Sequence, residues 1–231
     1  MNRFYIHTEL VDQTEIILPE EESKHASKVL RLKEGDQIEV CNGKGTLSVC
    51  TITKNHPKKT SLLIEQTIFE EPDEYYIHIA IAPTKNIARF EWFLEKSTEL
   101  GIHRISPIIA QNSERKVLKT DRLEKIIVAA MKQSKRLYLP TLDPLLSFDD
   151  FISSHSNGCI AHCVETEKNS ASTIIAAKNC PILIGPEGDF SDKEIEKALQ
   201  IGYKPLTLGK TRLRTETAGV YACMLTKNLF E

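Results

Sequence analysis

The sequence predicts an α/β protein: a small β-barrel carrying one helix, followed by a parallel-sheet domain covered by helices. Three observations predict it. Short β-branched or alternating runs recur through the first 70 residues, with one helical segment among them. The polar stretch Glu70-Glu71-Pro72-Asp73-Glu74 then breaks that rhythm. Beyond it, apolar strand-like runs alternate with helical ones, the pattern of parallel strands joined by helices. The predicted domains are therefore 1–72 and 73–231.

In the first part, strands are expected at Arg3–Ile6, Thr14–Leu18, Gln37–Cys41, Leu47–Thr53 and Ser61–Phe69. Asn42-Gly43 between two of these runs is a strong hairpin signal. A helix over Glu20–Leu32 opens after Pro19 with three acids in its first turn, where negative charge is stabilising. In the second part, Tyr76–Ala82 reads as a strand and Ile87–Leu100 as a helix stopped by Gly101. A strand at Ile105–Ile109 and a helix at Lys119–Arg136 follow. Cys159–Cys163 is a strand, Ser170–Ala177 a helix and Ile182–Ile184 a strand. Ser191-Asp192-Lys193-Glu194 is a capping box opening a helix that ends near Gly202. Leu206–Leu208 and Glu216–Leu229 complete the pattern as strand and helix. Trp92 and the phenylalanines are assigned to the core.

Composition excludes several classes. The chain has 231 residues, 41% hydrophobic, with a formal net charge of −2. That is enough apolar material for a core and excludes a wholesale basic coat for nucleic acid. The longest purely apolar run, Ile126–Met131, is far too short to span a bilayer. No signal-peptide stretch opens the sequence, so a cytoplasmic location is expected. The six cysteines form no C-x-x-C pair and read as reduced, buried thiols. Charge is uneven, however. Between Glu114 and Arg136, eight basic residues accompany three acids, a plausible phosphate footprint, although a solvated helix face could carry the same bias.

No G-x-G-x-x-G and no G-x-x-x-x-G-K-S/T is present, which argues against a Rossmann dehydrogenase and a P-loop NTPase. The glycine-bearing turns come late, at Ile184-Gly185-Pro186-Glu187-Gly188-Asp189-Phe190 and from Leu208-Gly209 to Thr217-Ala218. Each follows a short apolar strand and precedes a helix. Ligands of parallel sheets bind at the carboxyl ends of strands, so the two turns are expected to form one pocket. Glycines there let backbone groups approach a ligand closely, and Leu208 and Leu213 can sandwich a flat ring. A metal-dependent hydrolase built on Glu187, Asp189 and Glu216 would want histidine ligands beside those acids, and only His162 lies near a late strand end.

These stretches resemble the ribosomal RNA small subunit methyltransferase E family, uracil-N3 methyltransferases of the SPOUT class. The resemblance covers most of the chain. It rests on Arg3-Phe4, on His25 with Val29-Leu30-Arg31-Leu32 and Gly35-Asp36, and on Asn42-Gly43-Lys44-Gly45. It continues through Lys96–Ile102, Gln133-Ser134 with Arg136 and Pro140, Gly185–Gly188, and Leu208-Gly209 with Leu213–Ala218. Asp189 departs from the pattern, standing where a second glycine is usual; aspartate tolerates left-handed backbone angles better than most residues.

The resemblance implies a PUA-like barrel at 1–72 that docks on RNA and a trefoil-knotted SPOUT domain at 73–231. It implies a homodimer, S-adenosylmethionine as methyl donor, and 16S rRNA or the small ribosomal subunit as substrate. Cofactor contacts are expected from Ile184, Gly185, Pro186, Glu187, Gly188, Leu208, Gly209, Leu213, Arg214 and Thr217. Uracil N3 is a poor nucleophile until its proton is lost, so the site needs a cation for the developing anion. Arg214 is the first candidate and Arg115 the second, with Glu187 or a water taking the proton. RNA contacts are expected from Arg3, His25, Arg31, Arg115, Lys116, Arg122, Lys132 and Arg136. A non-catalytic RNA-binding protein, or a SPOUT enzyme acting on another RNA, are the competing readings.

Overall fold

Alternation of apolar and polar residues over residues 37–69 builds the largest sheet pairing of the N-terminal part, and the rest of that part closes around it. The computed structural model describes residues 1–165, 167–174 and 180–230. By its internal contacts the chain separates into two compact units, Met1–Pro72 with Met131–Leu139, and Asp73–Ala130 with Pro140–Glu231.

The first unit holds β1 (Arg3–Tyr5), β2 (Glu15–Ile17), α1 (Glu20–Lys24), β3 (Gln37–Cys41), β4 (Thr46–Lys54) and β5 (Ser61–Phe69). They form one mixed sheet in the order β1-β3-β4-β5-β2, in which only β1 and β3 run parallel. Register shifts along β4–β5 curl the sheet into an open barrel. Phe4, Leu10, Leu18, Ile38, Val40 and Leu62 fill its interior. The expected hairpin joins β3 to β4. Asn42 Oδ1 accepts the N–H groups of Lys44 at 2.9 Å and Thr46 at 3.2 Å, and Gly43 and Gly45 take φ of +71° and +89°. The predicted helix over 20–32 is shorter. It widens after Lys24 into a π turn over His25–Val29 and ends at Arg31, whose φ is +53°. Side-chain periodicity does not distinguish these hydrogen-bonding patterns.

The second unit runs β6 (His78–Ile81), α2 (Ile87–Leu100), β7 (Arg104–Ile109), α3 (Thr120–Gln133), β8 (Thr141–Leu142), β9 (Leu146–Ser147), α4 (Phe148–Ser154) and β10 (Cys159–Ala161). It continues with α5 (Ala171–Ile174), β11 (Ile182–Ile184), α6 (Asp192–Gln200), β12 (Lys204–Leu206) and α7 (Thr215–Phe230). The last residues of α3 belong to the first unit. Every pairing is parallel, in the order β12-β10-β11-β6-β7-β8, with β9 also on β7. Strands β6 and β11 are buried along their whole length, as a sheet covered on both faces requires. Helix α2 is capped by Asn86, whose side chain accepts the Ala88 N–H, and stops at Gly101 with φ +94°. Helix α7 starts beyond the edge strand β12 and returns to pack on β6, β11 and α2. That is the return a trefoil-knotted chain makes, and hydrophobic periodicity carries no sign of it.

Several expectations are corrected. The elements β8, β9 and α4 have no counterpart in the predicted series, because two-residue strands are too short to show a period. The last strand is Lys204–Leu206 rather than Leu206–Leu208, which leaves Thr207 and Leu208 in the following loop. Of the helix expected at Ser170–Ala177, residues 175–177 lie outside the described residues. Trp92 (42% exposed) and Phe69 (57%) are not core. Cys163 is exposed and Cys180 half-buried, while the other four thiols are buried.

One buried titratable group gives the second unit a pH dependence. His78 Nε2 lies 2.7 Å from Ser106 Oγ, which donates to Asp143, and Arg104 grips that carboxylate from Nε and Nη2 at 2.8 and 2.9 Å. Burial, then the neighbouring His155 and Arg104, push the His78 imidazole from 6.5 to about 3. The unfolded chain takes up this proton below about pH 6.5 and the folded unit does not. Stability is therefore full above 6.5 and falls towards pH 3, by about 1.4 kcal/mol per pH unit. Acid unfolding followed by circular dichroism is expected to lose this slope between pH 6.5 and 4 in His78→Gln; an unchanged slope would assign it to other groups.

Candidate functional site

Strands β10, β11 and β12 end on the same side of the sheet, and their three following loops wall a cavity of about 730 Å³. That volume falls in the range of small-molecule sites. The loop after β10 contributes His162, Cys163 and Lys168; the loop after β11, Gly185 to Glu187 and Asp189; the loop after β12, Thr207 to Arg214. Gly209 takes φ +110° and an added Cβ there would meet nothing within 4 Å, so the backbone lies open at the turn. Thr215, at the start of α7, donates from Oγ1 to the Gly185 carbonyl at 3.1 Å, joining the helix to the wall after β11.

Two glycine turns recognised in the sequence thus do share one cavity. Of the expected cofactor contacts, Ile184, Gly185, Pro186, Glu187, Leu208, Gly209, Leu213 and Arg214 line it. Gly188 and Thr217 do not. Gly188 faces Asn112, whose Nδ2 donates to its carbonyl at 3.1 Å, and Thr217 points to solvent one residue before the lining Ala218. The wall after β10 was not expected, because no glycine marks it; the neighbouring positions of β10, β11 and β12 place it there.

His162 is the most informative of the unexpected residues. It is 8% exposed, lines the cavity, and both ring nitrogens lack a hydrogen-bond partner among the described residues. Burial first, then the Lys168 ammonium, hold it below its usual value, so it is neutral near pH 7. A buried imidazole with two open positions suits a ligand that brings its own donors and acceptors.

The three catalytic candidates separate. Arg214 lines the cavity, is exposed, and its guanidinium has no hydrogen bond or ion pair among the described residues. Glu187 also lines it, and its Oε1 accepts the Lys85 N–H at 3.0 Å. Arg115 does not line it. Its guanidinium donates to the carbonyls of Thr84 at 2.9 Å and Lys85 at 2.6 Å, so it braces the turn that holds Glu187. Arg115 thus stands outside the cavity, bonded to the turn whose Lys85 N–H meets Glu187. The residues of the metal reading disperse: Glu216 is buried outside the cavity, with Oε1 3.8 Å from Arg89. Among the described residues no group of three or more His, Cys, Asp or Glu could hold a metal.

The expected RNA contacts also divide. Arg3 is paired with Glu39 at 2.9 Å, its side chain only 8% exposed, and Lys132 is paired with Glu22 at 2.5 Å with both groups largely covered. Both are structural pairs of the first unit. Arg122 pairs with Glu91 but stays 67% exposed. Arg31 and Lys116 are exposed, His25 keeps 41% of its side chain in solvent, and Arg136 is half-buried. No helix of the described residues is long and apolar enough to cross a membrane.

A parallel sheet whose strand-end loops form a small-molecule cavity, in a chain that also carries a curled mixed sheet, defines the class: residues 71–227 match the model of an RNA methyltransferase domain, and residues 18–65 that of an RNA methyltransferase PUA domain. A ribosomal RNA small subunit methyltransferase E from Bacillus subtilis is 30% identical over 219 residues, 87% of this chain and 85% of its own. The structure of a probable rRNA-methyltransferase from Porphyromonas gingivalis superposes with a TM-score of 0.88 at 34% identity, covering 100% of this chain and 98% of that one. A ribosomal RNA small subunit methyltransferase E from Neisseria gonorrhoeae, bound to S-adenosyl methionine, gives 0.89 at 25% identity, covering 100% and 98%. This chain belongs to the ribosomal RNA small subunit methyltransferase E family.

Proposed function

We propose that the chain transfers a methyl group from S-adenosylmethionine to N3 of a uridine in 16S rRNA. The observation that carries this reading is the cavity itself, which brings Arg214, without a partner among the described residues, and the Glu187 carboxylate to one ligand-sized space. The fit is chemical as well as volumetric: open glycine backbone at Gly209, apolar Leu208 and Leu213, and the unpaired His162 ring suit a nucleoside with a flat base. S-adenosylmethionine, when bound, supplies an activated methyl on a cationic sulfur.

The chain's residues must then make the nucleophile. The N3 proton passes to Glu187, whose free oxygen remains after Oε1 has taken the Lys85 N–H. Arg214 stabilises the negative charge that spreads onto O2 and O4 as the proton leaves. Bound there, the donor would give its methyl to the N3 anion, the carbon–sulfur bond breaking as the new bond forms. Holding the two reactants in line supplies the remaining acceleration.

The first unit is the proposed RNA dock, with Arg31, His25, Lys116 and Arg122 as phosphate contacts on the two units. A two-fold dimer is proposed from the exposed apolar side chains of α2 and α7: Trp92, Tyr221 and Met224 are each about two-fifths exposed on helices packed against one another. The proposed location is the cytoplasm. Incorporation of labelled methyl into naked small-subunit RNA, assembled subunits and tRNA tests the reading, with the product nucleoside identified by mass spectrometry. N3-methyluridine in the small-subunit substrates is expected. Label only in tRNA would move the enzyme to another RNA, and no label anywhere would favour a non-catalytic RNA-binding protein.

A further inference from the structure

We infer that Asp189 is a positioning residue for the cofactor, a carboxylate staple that holds the walls of the cavity in register; the inference rests on the reading that this cavity takes S-adenosylmethionine. Asp189 sits at φ +64°, a left-handed conformation that glycine adopts without strain and other residues do not. A turn alone would therefore be served by glycine, and the aspartate side chain must account for itself.

It does so through contacts that cross the cavity. Asp189 Oδ2 accepts the backbone N–H of Cys163 at 2.6 Å, tying the loop after β11 to the loop after β10. Asp189 Oδ1 accepts the N–H of Phe190 at 2.8 Å, which fixes the carboxylate's own rotamer. Asn112 secures the backbone beneath it, donating from Nδ2 to the carbonyls of Gly188 and Asp189 at 3.1 Å each. The Arg212 guanidinium on the loop after β12 lies nearest Cys163 and within electrostatic reach of the same carboxylate, with no ion pair between the two. Phe190 in turn packs against Gly185, where an added Cβ would lie 3.1 Å from its ring. One side chain thus bonds to two of the three walls, and its partner Cys163 is the residue after the buried His162, whose ring nitrogens have no partner among the described residues.

The consequence is preorganisation. Without the carboxylate, the Cys163 N–H loses its acceptor, and beyond the paired strands the loop after β10 loses its side-chain tie to the loop after β11. The ligand must then order both, and that entropy is taken from its affinity. Arg214 and Glu187 keep their places, so the chemical step is unchanged.

Three proteins test this: the unaltered chain, Asp189→Gly and Asp189→Asn. Calorimetric titration with S-adenosylmethionine gives affinity, and methyl transfer at varied cofactor gives KM and kcat separately. Glycine suits the backbone angle, so Asp189→Gly is expected to fold, with Kd and cofactor KM raised roughly tenfold and kcat at saturation within about twofold. Asp189→Asn keeps an oxygen for the Cys163 N–H and is expected to recover most of the affinity. Unchanged affinity in Asp189→Gly, a fall in kcat with KM unchanged, or no rescue by asparagine would each overturn the inference. Absence of binding by the unaltered chain would overturn the cofactor assignment itself, and this inference with it.

Discussion

Arg214→Ala is expected to lose methyl transfer by roughly 10²–10³ while keeping its fold. The expectation follows from where the guanidinium stands. It lines the cavity, and no carboxylate or carbonyl among the described residues holds it. Its removal therefore leaves no buried partner unpaired and little to destabilise. What disappears is a charge poised for an anion that exists only as the uracil proton leaves, so the loss falls on kcat. Single-turnover incorporation of labelled methyl measures it, beside a calorimetric titration of the donor. A rate within a few-fold of the unaltered enzyme would remove Arg214 from the chemistry. Arg115→Ala makes a useful contrast. Its donors hold the Thr84 and Lys85 carbonyls, so its effect should reach the reaction only through the seating of Glu187.

Phe93→Ala is expected to destabilise the second unit by about 3–5 kcal/mol and to lower cofactor affinity with it. Phe93 is fully buried on α2, and its ring fills the space opposite Gly219 of α7. A Cβ added at Gly219 would lie 2.7 Å from that ring and 2.9 Å from the Ile81 side chain, so the two helices meet at a glycine with no slack. Removing the ring opens a cavity in this seam, and the close packing of the surroundings prevents full collapse. The first turn of α7 carries Thr215 and Ala218 to the cofactor cavity, which is why a core change should be felt there. Denaturant unfolding gives the stability loss; a loss below about 1 kcal/mol would mean that α7 is not held by this contact.

The sequence carried much of the fold because its signals are local. Asn86 and Gly101 bound α2, Ser191 with Glu194 opens α6, and Asn42-Gly43 turns β3 into β4, each by hydrogen bonds or backbone angles that a few residues decide. The elements β8, β9 and α4 were illegible because their existence depends on what they pair with. The π turn after Lys24 was illegible because it shares its hydrophobic pattern with an ordinary helix. The site divides in the same way. Glycine turns announced two walls of the cavity, while the wall bearing His162 and Cys163 needed the strand order. Charge counting and the family resemblance placed Arg3, Arg115 and Lys132 on an RNA or catalytic surface, but neither sees the carboxylates and carbonyls that occupy them.

A structure of the chain with S-adenosylmethionine bound tests the central claim most directly. The account predicts the donor enclosed between the loops after β10, β11 and β12, its ring beside Leu208 and Leu213 and its methyl facing Arg214. A donor seated elsewhere on the chain, or held with its methyl turned away from that arginine, would contradict it.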